Sequence, residues 1–208
     1  MRISDLPFGS NIKIPERRED RTFKLADYTL GCLNNFDVGT AGLIREEVHS
    51  LCRFGNGTEY VGSDLDKRMT EIYNSYPDEF KELIIPSTIS LYNGSGAENI
   101  TRKVFAPTLT MVGYGDNEGI EEGLAWPIFT GRNSRKKTFN GSAAYWWLSS
   151  RYSSDNAWYV FTDGSANYYG NPSYSNGVVP AFIILQSVQI DDTPDNDGSY
   201  RLTVLNYA

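Results

Sequence analysis

The clearest repeat of hydrophobic and polar positions lies in "SDLDKRMTEIYNSY", residues 63–76. Its apolar positions are spaced by four, three and four residues, which is the period of an amphipathic helix. Ser63 is a suitable N-cap, since its hydroxyl can accept from first-turn amides, and acidic residues follow it. Pro77 ends this helix, and "DEFKELII" predicts a second short helix that stops before Pro86. The apolar face of the first helix consists of Leu65, Met69, Ile72 and Tyr76.

Alternating patterns before these helices predict strands. "NIKI" alternates like a short strand, and "RTFKLADYTL" predicts a strand at 22–30 with Phe23 and Leu25 on one face. Residues 39–54 fit a helical period only imperfectly, so helix and strand both stay open there.

The second half of the chain carries mainly strand signals. "STISLYNGSG" alternates before a Gly-rich turn, and "TRKVFAPTLTMVGYG" predicts one or two strands interrupted by Pro107. "VVPAFIILQSVQI" at 178–190 is the most core-like strand region, and "SYRLTVLNYA" predicts a terminal strand. Strands, then helices, then many strands predict an α+β fold. We expect a single domain over residues 1–208, with a strand and helix half at 1–98 and a β-rich half at 99–208.

Residues 145–182 concentrate aromatic side chains among small polar ones. These thirty-eight residues contain eleven aromatic residues, and only Arg151, Asp155 and Asp163 are charged. Within them, "NAWYVFTDGSANYYG" has two strand-like runs joined by Asp-Gly, which is a strong signal for a hairpin with a two-residue loop. Such a loop predicts four cross-strand pairs: Val160 with Asn167, Trp158 with Tyr169, Tyr159 with Tyr168, and Phe161 with Ala166.

Two interpretations of this segment compete. In one, its rings fill the core of a β-rich domain. In the other, its middle forms a binding surface, because "SRYSSDN" and "NYYGNPSYSN" interleave Tyr with Ser, Asn, Gly and Pro, which suits loops. Tyr and Trp offer large, rigid contact area, and Ser, Asn and Gly add adaptable hydrogen bonds. We favour a binding surface for residues 152–176. Four side chains near the ends of the segment are expected to be largely buried: Trp147, Leu148, Ala181 and Phe182.

Charge and composition narrow the classes of partner. The formal net charge is −7 and "RKK" is the only tight basic cluster, which disfavours nucleic acid and an anionic membrane surface. The sequence has no apolar run long enough for a membrane span and no N-terminal signal-peptide pattern. We therefore expect synthesis in the cytoplasm and exit from the cell by lysis or within a particle. Cys32 and Cys52 leave open one disulfide or two buried free thiols.

Candidate catalytic residues are few. His49 is the only histidine, and Cys52 lies three residues beyond it, so the two side chains would meet on a helix. A single His beside a Cys in an apolar run is more typical of packing than of catalysis. Glu121 and Glu122 are adjacent carboxylates without an identifiable partner. We expect no enzymatic activity.

Two loops resemble ligand sites only superficially. "GYGDNEG" at 113–119 is acidic and lacks a following Lys, so we interpret it as a surface turn and not as a phosphate loop. In "DDTPDNDGSYRL" at 191–202, the first and last positions of a calcium loop would fall on Thr193 and Val204, so an Asx-type turn is favoured. We expect neither a cofactor nor a metal ion.

The strings "AAYWWLSSRYSSDNAWYVFTDGSANYYG" and "NGVVPAF" resemble the C-terminal motif of a domain family of unknown function in phage and bacterial surface proteins. That family typically reads Y-W-W-L-R-S-P, then D-G-S, then G-V-R-P-A-F. "ITRKVFAPTLTMVG", "ISDLPFGSNIKI" and "DDTPDNDGSYRL" are also similar to phage structural proteins that carry this domain. Ser149, Arg151 and Val179 depart from the motif, which has Arg, Pro and Arg there, and this suggests a rebuilt local hydrogen-bond network.

The resemblance implies a C-type-lectin-like fold with two helices and a mostly antiparallel sheet, displayed on a phage particle or similar surface. Relatives with that fold include the variable proteins of diversity-generating retroelements, whose aromatic- and Asn-rich segment is mutated to retarget binding. Formylglycine-generating enzymes share the fold, but they depend on cysteines late in the chain, and no cysteine follows Cys52 here.

The resemblance therefore implies non-catalytic binding of a host-surface protein or glycan. The alternative is a structural virion or tail subunit whose aromatic face packs against a neighbouring subunit, identical or not. Carried across from the family, the exposed ligand-binding positions are Tyr152, Ser153, Asp155, Asn156, Trp158, Tyr168, Tyr169, Asn171 and Tyr174.

Overall fold

The computed structural model describes residues 1–16, 27–35 and 39–204, and at 27–35 it describes the backbone alone. The predicted positions of Phe23 and Leu25 lie outside these residues. The α-helices in the described part of the chain are α1 (Asp64–Ser75), α2 (Asp78–Leu83) and the short α3 (Arg132–Arg135). The strands there are β1 (Asn11–Glu16), β2 (Asp27–Asn35), β3 (Thr40–Arg45), β4 (Ser50–Arg53), β5 (Ile84–Ile85), β6 (Ser87–Tyr92), β7 (Ala97–Arg102), β8 (Val104–Phe105), β9 (Lys137–Phe139), β10 (Ser142–Ala144), β11 (Trp146–Arg151), β12 (Ala157–Val160), β13 (Ala166–Gly170), β14 (Ser175–Val178), β15 (Ala181–Leu185) and β16 (Tyr200–Arg201).

The larger sheet has the strand order β16-β1-β2-β3-β15-β5, and β8 also pairs with β15. Its pairings are antiparallel except for β1 with β16, where Ile12 lies opposite Tyr200. The chain is therefore a mixed helix and sheet protein, made mostly of sheet, in the predicted order of strands, helices and further strands. Side chains of this sheet that are fully or almost fully buried include Ile12, Ile14, Leu43, Ile44 and Ile184.

The second sheet has the order β13-β12-β11-β14-β4 and carries the aromatic segment. Its central strand β11 is covered on both faces, since the consecutive residues Trp146 and Trp147 are both completely buried. The Trp146 indole donates to the Arg135 carbonyl at 3.0 Å, and the Trp147 indole donates to the Cys52 carbonyl at 3.0 Å. The predicted burial is confirmed for Trp147, Leu148, Ala181 and Phe182.

Helix α1 forms as its sequence predicts. The Ser63 hydroxyl accepts from the Asp66 amide at 3.0 Å, which satisfies a first-turn donor. All four predicted apolar residues are buried, and the helix ends before Pro77, after which α2 begins. The Asp66 carboxylate, which is also buried, accepts two bonds of 2.7 Å from Arg102, which tie α1 to β7.

Residues 39–54, which the sequence left open between helix and strand, form the two strands β3 and β4. Their apolar residues belong to different sheets: β3 pairs with β15, and β4 pairs with β14. The imperfect helical period therefore arose from two short strands joined by a turn.

The β12–β13 hairpin does not have the predicted two-residue loop. The Phe161 amide donates to the Ser165 carbonyl at 2.8 Å, so the loop is Thr162-Asp163-Gly164, with Gly164 at φ +83. A three-residue loop with its last residue in the left-handed region is the next commonest hairpin connection. The predicted pairs are corrected as follows: Val160 lies opposite Ala166, and Tyr159 lies opposite Asn167.

Candidate ligand-binding surface

Four aromatic side chains contact one another on the outer hairpin of the second sheet. The ring centroids are 4.5 Å apart for Tyr152 and Tyr168, and 5.5 Å apart for Trp158 and each of those two tyrosines. The ring centroid of Tyr169 lies 4.2 Å from that of Tyr168. We call these four rings the aromatic platform. Tyr169 is 65% exposed and the other three rings are partly exposed, so the platform lies at the surface of the protein.

A β-bulge brings Tyr168 and Tyr169 together. Neighbouring side chains in a regular strand point to opposite faces. Here Tyr159 pairs with Asn167 but Ala157 pairs with Gly170, so β13 has one extra residue in this interval. The Asn167 side chain accepts from the Tyr169 amide at 2.8 Å, and the Tyr168 hydroxyl donates to the Tyr169 hydroxyl at 3.2 Å. The bulge therefore places both tyrosines beside Trp158.

The inner ring of the platform is hydrogen-bonded to the loop at 113–123. The Trp158 indole donates to Asn117 Oδ1 at 3.1 Å, and Asn117 Nδ2 donates to Glu122 Oε1 at 3.1 Å. Glu122 is completely buried, and this burial raises the pKa of its carboxyl. Sequence reasoning missed both residues, because it interpreted 113–119 as a surface turn and found no partner for Glu122.

The loop between β11 and β12 holds four of the predicted site residues. The Tyr152 and Ser153 amides both donate to the Asn156 carbonyl at 3.0 Å. The Ser153 hydroxyl accepts from the Asp155 and Asn156 amides at 3.2 and 3.1 Å. Thr58 donates its hydroxyl to the Ser153 carbonyl at 2.6 Å. Ser153 and Asn156 thus shape the loop, whereas Asp155 points into solvent.

The three residues that depart from the family motif, Ser149, Arg151 and Val179, differ in their surroundings. Arg151 donates to the Asn93 carbonyl at 2.7 Å and to the Ser153 carbonyl at 3.1 Å, so it connects the β6–β7 turn to the site loop. Ser149 and Val179 are buried, and the Ser149 amide donates to the Pro107 carbonyl at 2.9 Å. Arg151 also borders a polar depression of about 320 Å³ that reaches the start of α1.

Asn171 and Tyr174 form a separate turn between β13 and β14. The Asn171 side chain accepts from the Ser173 amide at 3.0 Å, and Tyr174 is 60% exposed. Burial raises the pKa of Tyr159, and the neighbouring phenols of Tyr145 and Tyr174 raise it further. The predicted site residues therefore divide between the platform with its loop and this second turn.

A second group of rings was not predicted as part of the site. The ring centroid of Tyr145 lies 4.9 Å from that of Phe161 and 6.1 Å from that of Tyr159, and Tyr145 is 42% exposed. Tyr145 also lines a groove of about 230 Å³ that contains Leu51, which is 44% exposed. Side chains alternate between the two faces of β12, so Tyr159, which follows Trp158, projects from the opposite face and joins this group. That alternation is the sequence signal that could have predicted the second group.

The His49 and Cys52 pair does not form the arrangement that a helix would give. Cys52 lies in β4, where residues three apart face opposite sides, and His49 Nδ1 instead lies 3.0 Å from the Ser50 hydroxyl. Burial lowers the pKa of His49 to about 4 and raises the pKa of Cys52 to about 11. Cys52 is a free thiol, so it does not form a disulfide with Cys32.

The acidic turn at 191–199 has the predicted Asx geometry. The Asp197 carboxylate accepts from the Ser199 amide at 3.1 Å, and the Gly198 amide donates to the Asp195 carbonyl at 2.8 Å. The Lys13 ammonium forms an ion pair with each carboxylate, at 2.5 Å from Asp195 and 2.9 Å from Asp197. Among the described residues, no group of three or more His, Cys, Asp or Glu side chains is arranged to hold a metal ion.

The fold and this surface define a mostly β domain with an aromatic patch on an outer hairpin. The chain belongs to the family described as "Domain of unknown function (DUF6273)", whose sequence profile matches residues 39–186. This agrees with the resemblance to a family of unknown function. No curated protein and no solved structure matches the chain. In the described part of the protein, no helix has both the length and the apolar character needed to cross a membrane.

Proposed function

We propose that this protein is a non-catalytic ligand-binding protein with a C-type-lectin-like fold, displayed on a phage particle or similar surface. It recognises a host-surface protein or glycan through the aromatic platform and the adjoining loop at 153–156. The observation that carries this proposal is the surface position of four rings joined by ring contacts, with Tyr169 65% exposed. The proposed activity requires neither cofactor nor metal ion.

The chemistry of the platform supports this role. Contacting rings are rigid, so a ligand that stacks on them immobilises few additional torsions. The hydroxyl groups of Tyr168 and Tyr169 and the serine-rich loop supply hydrogen-bond donors and acceptors at the rim. The hydrogen bond with Tyr169 raises the pKa of Tyr168, which keeps the Tyr168 hydroxyl protonated at neutral pH. An uncharged ring surface with polar edges fits a sugar ring or an interface aromatic residue.

A more specific form of this proposal is that the chain is the variable protein of a diversity-generating retroelement. The buried Trp146 and Trp147 would then stay constant, while exposed positions such as Asp155, Tyr169 and Tyr174 would vary. A reverse-transcriptase gene beside a near-copy of the DNA encoding 145–182 would support this part of the proposal. Its absence from the neighbouring genome would leave a fixed binding protein.

Replacement of Tyr168, Tyr169 and Tyr174 by Ala tests the binding role. These side chains are exposed or partly exposed, so we expect binding to whole host cells to weaken at least about tenfold, while the melting temperature moves by no more than about 3 °C. Cell binding is measured by flow cytometry over a panel of bacterial strains, and melting by circular dichroism. Phe8→Ala is the matched control, since Phe8 is also an exposed aromatic residue, 54% exposed, outside the site. A large loss of stability, or unchanged binding, would contradict the proposal.

A structural subunit is the second candidate. It is favoured by Tyr145 and Leu51, which leave apolar surface exposed beside the groove of the second ring group. In that case the purified protein should sediment as a concentration-independent oligomer, and Leu51→Glu should convert it to a monomer. A monomer at all concentrations would exclude this candidate.

A further inference from the structure

We propose that Asn117 and Glu122 are positioning residues of the aromatic platform. The acidic loop at 113–123 would then set the shape of a binding surface whose contact residues lie elsewhere in the chain. The functional consequence rests on the proposed binding role, but the structural claim concerns the platform itself. Three features carry this inference: the orientation of Asn117, the burial of Glu122 and the ring contacts of Trp158.

The orientation of the Asn117 amide is determined by its donors. An amide can accept only through its oxygen and donate only through its nitrogen. Asn117 Nδ2 lies 3.1 Å from Glu122 Oε1 and 2.7 Å from the Arg151 carbonyl, and both of these are acceptors. Asn117 Oδ1 must therefore face Trp158, whose indole N–H donates to it at 3.1 Å. Asn117 is only 2% exposed, so water has little access to replace this partner.

Glu122 is held rigidly from several parts of the fold. Its Oε1 accepts from the Tyr92 amide at 2.8 Å, at the end of β6, and its Oε2 accepts from the Ser150 hydroxyl, in β11. Its own amide donates to the Thr110 hydroxyl at 2.9 Å. A buried side chain whose oxygens accept from this many donors is rigidified by its hydrogen-bond network. Glu122 thus provides a fixed reference point for Asn117.

Trp158 transmits this position to the rest of the platform. Its ring lies 5.5 Å from both Tyr152 and Tyr168, and Tyr168 contacts Tyr169. If the indole is released from Asn117, both neighbouring tyrosines lose an edge contact and the outermost ring loses its support. This arrangement gives the loop at 113–119 a role that its sequence alone did not indicate.

The first test follows the indole N–H of Trp158 by ¹H–¹⁵N NMR of the full chain. In Asn117→Ala, we expect the exchange of this proton with solvent to accelerate at least about tenfold, and the ring proton shifts of Tyr152 and Tyr168 to change. The indole signals of Trp146 and Trp147 are internal references, since their acceptors lie elsewhere. Glu122→Gln keeps an oxygen for Asn117 and should have a smaller effect. Glu121→Gln, at the exposed neighbouring position, should have none.

A double-mutant cycle separates positioning from a general structural effect. Trp158→Phe keeps a ring but removes the donor, so Asn117→Ala should add little further change in the Tyr168 and Tyr169 shifts in that background. Unchanged indole exchange in Asn117→Ala, or an undiminished effect in the Phe background, would overturn the inference. If Asn117→Ala fails to fold, the comparison of Glu122→Gln with Glu121→Gln decides the question. None of these measurements involves a ligand, so failure of the binding role would appear only in the cell-binding experiment.

Discussion

Single residues in this protein differ in role more through burial than through chemical type. Glu121 and Glu122 are adjacent and identical, yet Glu121 is exposed and Glu122 is completely buried with four hydrogen-bonding neighbours. A sequence pattern cannot distinguish them, because neither lies in a periodic element. His49 is another case in which burial decides the chemistry of a residue.

Stability should fall as the pH is lowered through the range in which His49 titrates. Burial, followed by the charges of Arg45 and Arg68, lowers the pKa of His49 to about 4 in the folded protein, whereas the unfolded chain has a pKa of about 6.5. Between these values the unfolded chain binds the extra proton, so folding is progressively disfavoured as the pH falls from about 6.5 to about 4. Partial exposure reduces the effect to about 1–2 kcal/mol at pH 5.

Urea unfolding of His49→Gln at pH 7 and pH 5 measures this contribution. The variant should lose about 1–2 kcal/mol less than the native sequence between the two pH values. An equal pH dependence in both proteins would show that His49 does not carry it. Arg68→Gln is a useful companion, because removal of one nearby positive charge should reduce the pH dependence without removing it.

At the scale of elements, prediction succeeded where one local signal dominates. Helix α1 has a capping serine, an apolar face of regular period and a terminating proline, and it forms with these features. The β12–β13 hairpin is different, because Asp-Gly is compatible with both a two-residue and a three-residue loop. The choice is made by tertiary contact: Gly164 lies against the backbone of Arg132, which precedes β9. No pattern within residues 157–170 contains that information.

Gly164→Ala should destabilise the hairpin strongly. A Cβ at Gly164 would lie 1.8 Å from the Arg132 carbonyl oxygen, and φ there is +83, so the variant meets both a backbone clash and backbone strain. We expect a loss of about 2–4 kcal/mol in the free energy of unfolding. Because the hairpin carries Trp158 and Tyr168, we also expect weaker cell binding. Chemical unfolding gives the first quantity.

Gly141→Ala is the matched control for this substitution. Gly141 has φ +78, but nothing lies within 4 Å of an added Cβ, so only backbone strain of about 1 kcal/mol applies. The difference between the two variants therefore isolates the contact with Arg132. Equal losses would mean that the hairpin tip does not pack against this segment.

At the scale of the whole molecule, the candidate site was predicted in composition but not in arrangement. The platform and its loop lie within the predicted segment 152–176, since the mixture of Tyr, Ser and Asn is a local property. The support from Asn117 and the separation of Tyr174 from the platform depend on which elements pack together. The same holds for the bulge that places Tyr169 beside Tyr168. These features require the whole fold.

The chain outside the family profile also belongs to the same sheet. Strands β1, β2 and β16 fall outside residues 39–186, yet they extend the larger sheet from the edge of β3. Ile3, Ile12 and Leu202 are completely buried. Each buried aliphatic side chain of this kind contributes about 2 kcal/mol to folding. We infer that these flanking segments are part of one folding unit with residues 39–186.

A protein restricted to residues 39–186 should therefore not reach the stability of the full chain. Removal of β1, β2 and β16 exposes the edge of β3 and its buried residues, so we expect poor dispersion in ¹H–¹⁵N NMR spectra or a loss of cooperative unfolding. Ile12→Ala in the full chain is the milder test, with an expected loss of about 2–4 kcal/mol, compared with little change for the exposed Phe8→Ala. If residues 39–186 unfold cooperatively with the full chain's midpoint, the flanks are an independent addition. In that case the single-domain prediction for 1–208 is wrong.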